Sequence, residues 1–134
     1  MILVDSNVIL DIATEDPTWF DWSSAALAAA ADRSILVINP IIYAEVSVGF
    51  ERLEELDEAL PADVFLRAPL PYAAAFLAGK AFIAYRHRSG ARTTALPDFY
   101  IGAHAAVAAM SLLTRDAARY RRYFPTVELI TPPA

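Results

Sequence analysis

The sequence predicts an α/β fold with a central, mostly parallel sheet covered by helices on both faces. Three observations predict it. Strand-like and helix-like segments alternate along the whole chain. The strand-like segments, such as Ile2-Leu3-Val4 and Ile35-Leu36-Val37-Ile38, lack the polar alternation of a strand with one wet face. An acid, Asp5, follows directly on the first of them, where open α/β sheets bind ligands.

At 134 residues the chain has the length of one domain, expected to span 1–134, with enough material for a core. Although 57% of residues are hydrophobic, no apolar run approaches the roughly 18 residues of a membrane span. The start Met-Ile-Leu-Val-Asp lacks a basic n-region and a cleavage site, so no signal peptide is expected. With no cysteine there is no disulfide frame, thiolate metal site or cysteine nucleophile, and a cytoplasmic location is expected. The net charge of −5 conceals an asymmetry: residues 1–63 carry 13 acids and two bases, residues 64–134 three acids and nine bases. A basic half suits an anionic partner, or is one of two solvated faces of opposite sign.

The elements follow in order. Ser6 to Ala13 reads as a helix stopped by Pro17, and Asp21–Asp32, rich in alanine, as a second. Ile35–Ile38 is a buried strand. Asn39 and Pro40 are an N-cap and an N1 proline, opening a third helix through Phe50 with a kink at Gly49. An acidic helix covers Glu51–Leu60, and Val64-Phe65-Leu66 is a short strand. Tyr72–Arg86 is amphipathic, and Arg86–Thr94 reads as a basic polar loop. Pro97 opens a nearly all-apolar helix through Met110, which predicts full burial. A strand at Leu112-Leu113, a short helix to Phe124 and a strand at Val127–Ile130 complete the chain.

Four acids stand out. Asp5 and Asp116 follow strand ends, where each is a helix cap or a ligand. Glu45 has Ile41, Ile42, Val48 and Gly49 as its helical neighbours, so it lies on the inward face. A buried carboxylate costs several kcal/mol, roughly, unless paired or bound to a cation. Asp98 opens the buried helix, where it also suits the helix dipole, and Gly102 one turn on implies close approach of another backbone. A parallel sheet gathers such positions at one edge. Clustered carboxylates repel, and a hard divalent cation, Mg²⁺ or Mn²⁺, relieves that repulsion and can activate water against a phosphodiester.

The chain from Ile2 to Ile130 resembles the PIN-domain family of VapC-type toxins. The segments that carry the resemblance are Val4-Asp5-Ser6-Asn7, Tyr43-Ala44-Glu45, Leu96-Pro97-Asp98-Phe99-Tyr100-Ile101, and Leu113-Thr114-Arg115-Asp116 with Tyr123-Phe124-Pro125. The resemblance implies a three-layer α/β/α domain with an acidic cluster at the C-terminal edge of the strands. It implies a Mg²⁺- or Mn²⁺-dependent endoribonuclease acting as the toxin of a toxin–antitoxin pair. Asp5, Glu45, Asp98 and Asp116 would be catalytic, with Asp5, Asp98 and Asp116 as metal ligands and Asn7 and Thr114 orienting Asp5 and Asp116. Some relatives carry a further acid shortly after the last. Here Ala117, Ala118 and Arg119 follow Asp116, against a second metal site.

Arg115, Arg119 and Arg122 form an i, i+4, i+7 stripe beside Asp116, and Arg86, Arg88 and Arg92 precede Asp98. They suit an RNA backbone or a solvated face. Tyr85, Phe99 and Tyr100 suit base stacking or core packing. His104 lies about 120° round the helix from Asp98, which suits a buried, hydrogen-bonded histidine better than a ligand. Apolar residues within the first 50, among them Ile9, Ile12, Trp19, Phe20, Trp22, Ile42, Tyr43 and Phe50, exceed what a small domain easily buries. With the resemblance they imply a homodimer and a cognate antitoxin as partners. The rivals are a phosphatase of the haloacid-dehalogenase type, which wants an acid where Asn7 stands; a receiver domain, which wants a late lysine; and a non-catalytic PIN-like binding module.

Overall fold

The computed structural model describes residues 1–89 and 96–133, and its centre is a five-stranded sheet in which every pairing is parallel. The elements are β1 (Ile2–Val4), α1 (Ser6–Ala13), α2 (Phe20–Arg33), β2 (Leu36–Ile38), α3 (Pro40–Ser47), α4 (Leu53–Ala59), β3 (Phe65–Arg67), α5 (Tyr72–Ser89), α6 (Leu96–Val107), β4 (Ser111–Leu113), α7 (Ala118–Tyr123) and β5 (Leu129–Ile130). The strand order is β3-β2-β1-β4-β5. The chain therefore winds outward from β1 through β2 to β3, crosses back over β1, and continues through β4 to β5. The direction reverses between β1 and β4, the crevice where such sheets hold ligands. Register pairs Val4 with Leu113, so the chain leaves both strands side by side, at Asp5 and Thr114.

Each strand of the central trio β1, β2 and β4 has at least two fully enclosed apolar side chains, which explains the missing alternation. Asn39 caps α3 as expected: its Oδ1 accepts the Ile42 N–H at 2.9 Å, and Pro40 takes N1. Its amide meets His104 Nδ1 at 3.0 Å inside the core, so His104 is the buried, hydrogen-bonded residue anticipated, with burial holding its proton affinity down.

Three helix ends and one close approach differ from expectation. α3 stops at Ser47, whose hydroxyl turns back onto the Ala44 carbonyl at 2.6 Å. α5 runs on to Ser89, so Arg86, His87 and Arg88 are helical rather than looped. α6 ends at Val107, where Ala109 takes the left-handed conformation (φ 54°) and Met110 N–H closes onto the Ala105 carbonyl. At Gly102 the close neighbour is the ring of Phe124, not a backbone: a Cβ there would lie 2.4 Å from it.

Most of the apolar residues singled out in the first 50 serve the core. Ile9 and Ile42 are buried, and Ile12, Trp22, Tyr43 and Phe50 pack against them. Exposed large apolar residues recur along α5, at Tyr72, Phe76 and Ile83, and also stand at Ile35, Val48, Leu53 and Val64 among others. Among the described residues no helix is long and apolar enough to cross a membrane.

Candidate active site

Asp5 leaves β1 at the reversal point and is 3% exposed. Its Oδ1 accepts the Ser6 N–H at 2.8 Å, so it does cap α1. Its Oδ2 accepts from Thr114 Oγ1 at 2.8 Å, Tyr120 OH at 3.0 Å and Asn7 Nδ2 at 3.4 Å. All these donors are neutral, and among the described residues no cation pairs with Asp5. Burial is the main reason its carboxyl is pushed up from 3.8 to about 6; the charge of Asp98 adds to the rise, while the hydrogen bonds from Thr114, Tyr120 and Ser6 oppose it.

Glu45 comes to the same edge from α3. Its Oε1 accepts from Ser6 Oγ at 2.9 Å, and that hydroxyl lies 3.5 Å from Asp5 Oδ1, so Ser6 joins the two acids. Burial raises the Glu45 carboxyl, opposed by the Ser6 hydrogen bond and reinforced by the charges of Asp5 and Asp98. Asp98, in the first turn of α6, is raised by burial, lowered by its pairing with Arg119, and raised by the charge of Asp116. Asp116 is exposed at the rim, its N–H donating to Thr114 Oγ1 at 3.1 Å. The structure thus brings Asp5, Glu45 and Asp98 within electrostatic reach of one another, with Asp116 reaching the group through Asp98.

Asn7 and Thr114 lie beside Asp5. Thr114 Oγ1 donates to Asp5 and receives Asn7 Nδ2 at 3.2 Å, while Asn7 Oδ1 receives the Arg115 N–H at 3.3 Å. This lattice ties the end of β1 to the end of β4. Tyr120 belongs to it too. Its phenol is held well above 10 by burial and by the charges of Asp5, Asp98 and Glu45, so it stays a donor. Ser6 and Tyr120 were not singled out from sequence. Ser6 had its place beside Asp5 as a signal; Tyr120 had only its place on the apolar face of α7.

The arginines divide. Arg115 does not continue the expected stripe, because α7 begins at Ala118 and Arg115 precedes it. Its guanidinium turns to the buried Asp11, Nε to Oδ2 at 2.7 Å and the terminal amine to Oδ1 at 3.0 Å, and stacks over Trp19 at 5.4 Å. Arg119 pairs with Asp98 and lies over the rings of Tyr85 (5.3 Å) and Phe99 (5.9 Å). Tyr85 and Phe99 are themselves packed with Tyr123, Phe99 at 5.2 Å, in an aromatic cluster that fixes α7 against α5 and α6. Arg86, Arg88 and Arg122 are exposed, as is Arg121, which the sequence reading passed over. Arg92 lies outside the described residues.

The donor set suits a hard divalent cation: Asp5, Glu45, Asp98 and Asp116 bring carboxylate oxygens to one edge, and Asp5 is a buried carboxylate without a cation partner among the described residues. The spacing is open, however. Among the described residues no three acids or histidines stand close enough to hold a metal ion.

Comparison with known proteins bears on what this edge is for. The family model described as PIN domain matches residues 2–125. Among solved structures, the chain is similar to VapBC2 from Rickettsia felis bound to a promoter DNA fragment, with a TM-score of 0.71, 18% identity and 98% of each chain covered. It is similar to VapBC-1 from nontypeable Haemophilus influenzae, with a TM-score of 0.70, 18% identity and 98% of each chain covered. It is also similar to FitAcB from Neisseria gonorrhoeae, with a TM-score of 0.69, 20% identity, and 97% of this chain and 96% of that one covered. Comparison with curated proteins gives no match.

Proposed function

The chain belongs to the PIN domain family, and from that premise we propose that it is a divalent-metal-dependent endoribonuclease acting as the toxin of a toxin–antitoxin pair. The observation that carries the reading is Asp5: a buried carboxylate with neutral donors on both oxygens and no cation partner among the described residues, facing two more raised carboxylates at the reversal point of the sheet. RNA as substrate rests on the resemblance of the four acid-bearing segments, and the antitoxin on the toxin–antitoxin neighbours.

Asp5, Asp98 and Asp116 would hold Mg²⁺ or Mn²⁺, which when bound supplies an activated water and charge on the scissile phosphate. The chain's own residues do the rest. Thr114, Asn7 and Tyr120 fix the Asp5 carboxylate against rotation. Glu45, raised and half-buried, leaves Oε2 to take a proton while Ser6 holds Oε1. Exposed Arg86, Arg88 and Arg122 meet flanking phosphates. The purified chain is expected to cut a structured RNA with Mg²⁺ or Mn²⁺ and to stop with EDTA. Metal-independent cleavage, or none with either ion, would overturn the reading.

The homodimer is proposed on the exposed α5 face, where Tyr72 is 94% and Phe76 70% exposed. Sedimentation at tens of micromolar (about the range in which a standard-sized interface is occupied) should show more than the 14.6 kDa monomer.

A further inference from the structure

Among the described residues Arg119 is the one charged side chain that pairs with an acid of the edge, and it arrives from α7, the same helix that delivers Tyr120 to Asp5. It meets Asp98, the acid whose charge is felt by both Asp5 and Glu45. A guanidinium placed there lowers the cost of holding the carboxylates together. It carries a single charge spread over a broad plane, whereas a small divalent ion concentrates two charges at one point and draws carboxylates in to roughly 2.1 Å. Its presence beside Asp98 is therefore consistent with an edge where three acids are near but not closed around one point. The pair is also built to open. Its two side chains are 32% and 31% exposed, and the other contacts seen for Arg119 are the faces of Tyr85 and Phe99, which have no directional bond to break.

Resting on the metal-dependent reading above, we infer that Arg119 is a resident counter-ion that competes with the divalent cation for Asp98, so that metal binds only as this guanidinium is displaced. The displaced arginine remains tethered to α7, beside Asp116 and the exposed Arg122, where phosphate oxygens are the anions left for it to meet. Its role is positional: it sets how much free metal the site needs.

The test is Mn²⁺ binding by calorimetry to the intact chain and to Arg119→Gln, which keeps a polar, hydrogen-bonding side chain and removes its charge. The variant should bind Mn²⁺ about twofold to fivefold more tightly, the size expected for releasing a partly exposed ion pair. That gain should vanish when measured between Asp98→Asn and the Asp98→Asn/Arg119→Gln double variant. Should Arg119→Gln fail to fold, the unmodified chain answers through the ¹⁵N resonance of the Arg119 Nε–H. It should shift as Mg²⁺ is titrated in, together with the amides around Asp98. An unchanged Mn²⁺ affinity in a folded variant, or an Arg119 resonance that stays fixed while those amides move, overturns the inference and leaves the metal site standing. Absence of Mn²⁺ binding in both chains overturns the metal reading itself, and this inference with it.

Discussion

Arg115 and Arg119 each meet an aspartate, four residues apart on the chain, and the two pairs are built differently. Asp11 is 3% exposed and receives Arg115 through both oxygens, with Ser23 Oγ adding a third donor at 2.8 Å and Trp19 covering the guanidinium. Asp98 and Arg119 are each about a third exposed, and one guanidinium nitrogen meets one carboxylate oxygen. The first pair satisfies a buried charge completely and joins the start of the chain to the β4–α7 turn. The second satisfies its acid partially, within a group of acids that repel it. Residue type does not separate a clamp from a site; completeness of satisfaction does.

The comparison breaks first on stability. Arg115→Ala should cost about 3–5 kcal/mol, because it leaves Asp11 buried and unpaired. Urea denaturation checks this, and a loss below about 1 kcal/mol would show that Asp11 rehydrates and that the pair is no clamp.

Next comes pH, which should read the acidic edge. Asp5 stands at about 6 in the folded protein against 3.8 for a free aspartate. The native state therefore binds the extra proton between those values, and the metal-free protein should gain stability as pH falls from 7 through 6 toward 4. The Asp5 contribution is bounded by about 3 kcal/mol. Saturating Mg²⁺ should flatten the slope if the ion binds ionised Asp5. A metal-free melting temperature that instead rises from pH 5 to pH 7 would mean that another group dominates.

Asp98→Asn sharpens the contrast further. It removes a proposed ligand, so Mn²⁺ affinity should fall at least about 10- to 100-fold, the range for losing even a supporting contact, with cleavage falling alongside. Arg115→Lys, at the clamp, should leave Mn²⁺ affinity within about twofold, since its nearest tie to Asp5 runs through a backbone N–H. The smallest effect belongs to Arg119→Ala: a stability change within about 1 kcal/mol, as for other partly exposed pairs, measured by thermal melting at pH 7.

Much of the sheet edge was legible from local chemistry. Asn39-Pro40 announces a helix start wherever it stands before an apolar run, and Asp5, Thr114 and Asp116 fall next to strand ends that hydrophobicity alone marks out. What was not legible depends on packing between distant elements. Asp11 reads as an ordinary helical acid until α2 and the β4–α7 turn close over it. Arg119 and Arg122 look equivalent on a helix, yet the aromatic cluster of Phe99, Tyr85 and Tyr123 turns one inward and leaves the other in solvent. Tyr120 sits among apolar neighbours and announces nothing about its hydroxyl.

The pairing of β1 with β4 has a consequence for synthesis. Two of the hydrogen bonds that shape Asp5 come from residues 109 and 115 positions away in the chain. A nascent chain emerges at roughly 5–20 residues per second, so Asp5 leaves the ribosome several seconds before Thr114 and Tyr120 can reach it. During that interval β1 can pair with β2, but its other edge waits. Laid out this way, the acidic edge stays unassembled until Thr114 and Tyr120 have emerged, and release by truncation before residue 114 would leave Asp5 without either hydroxyl.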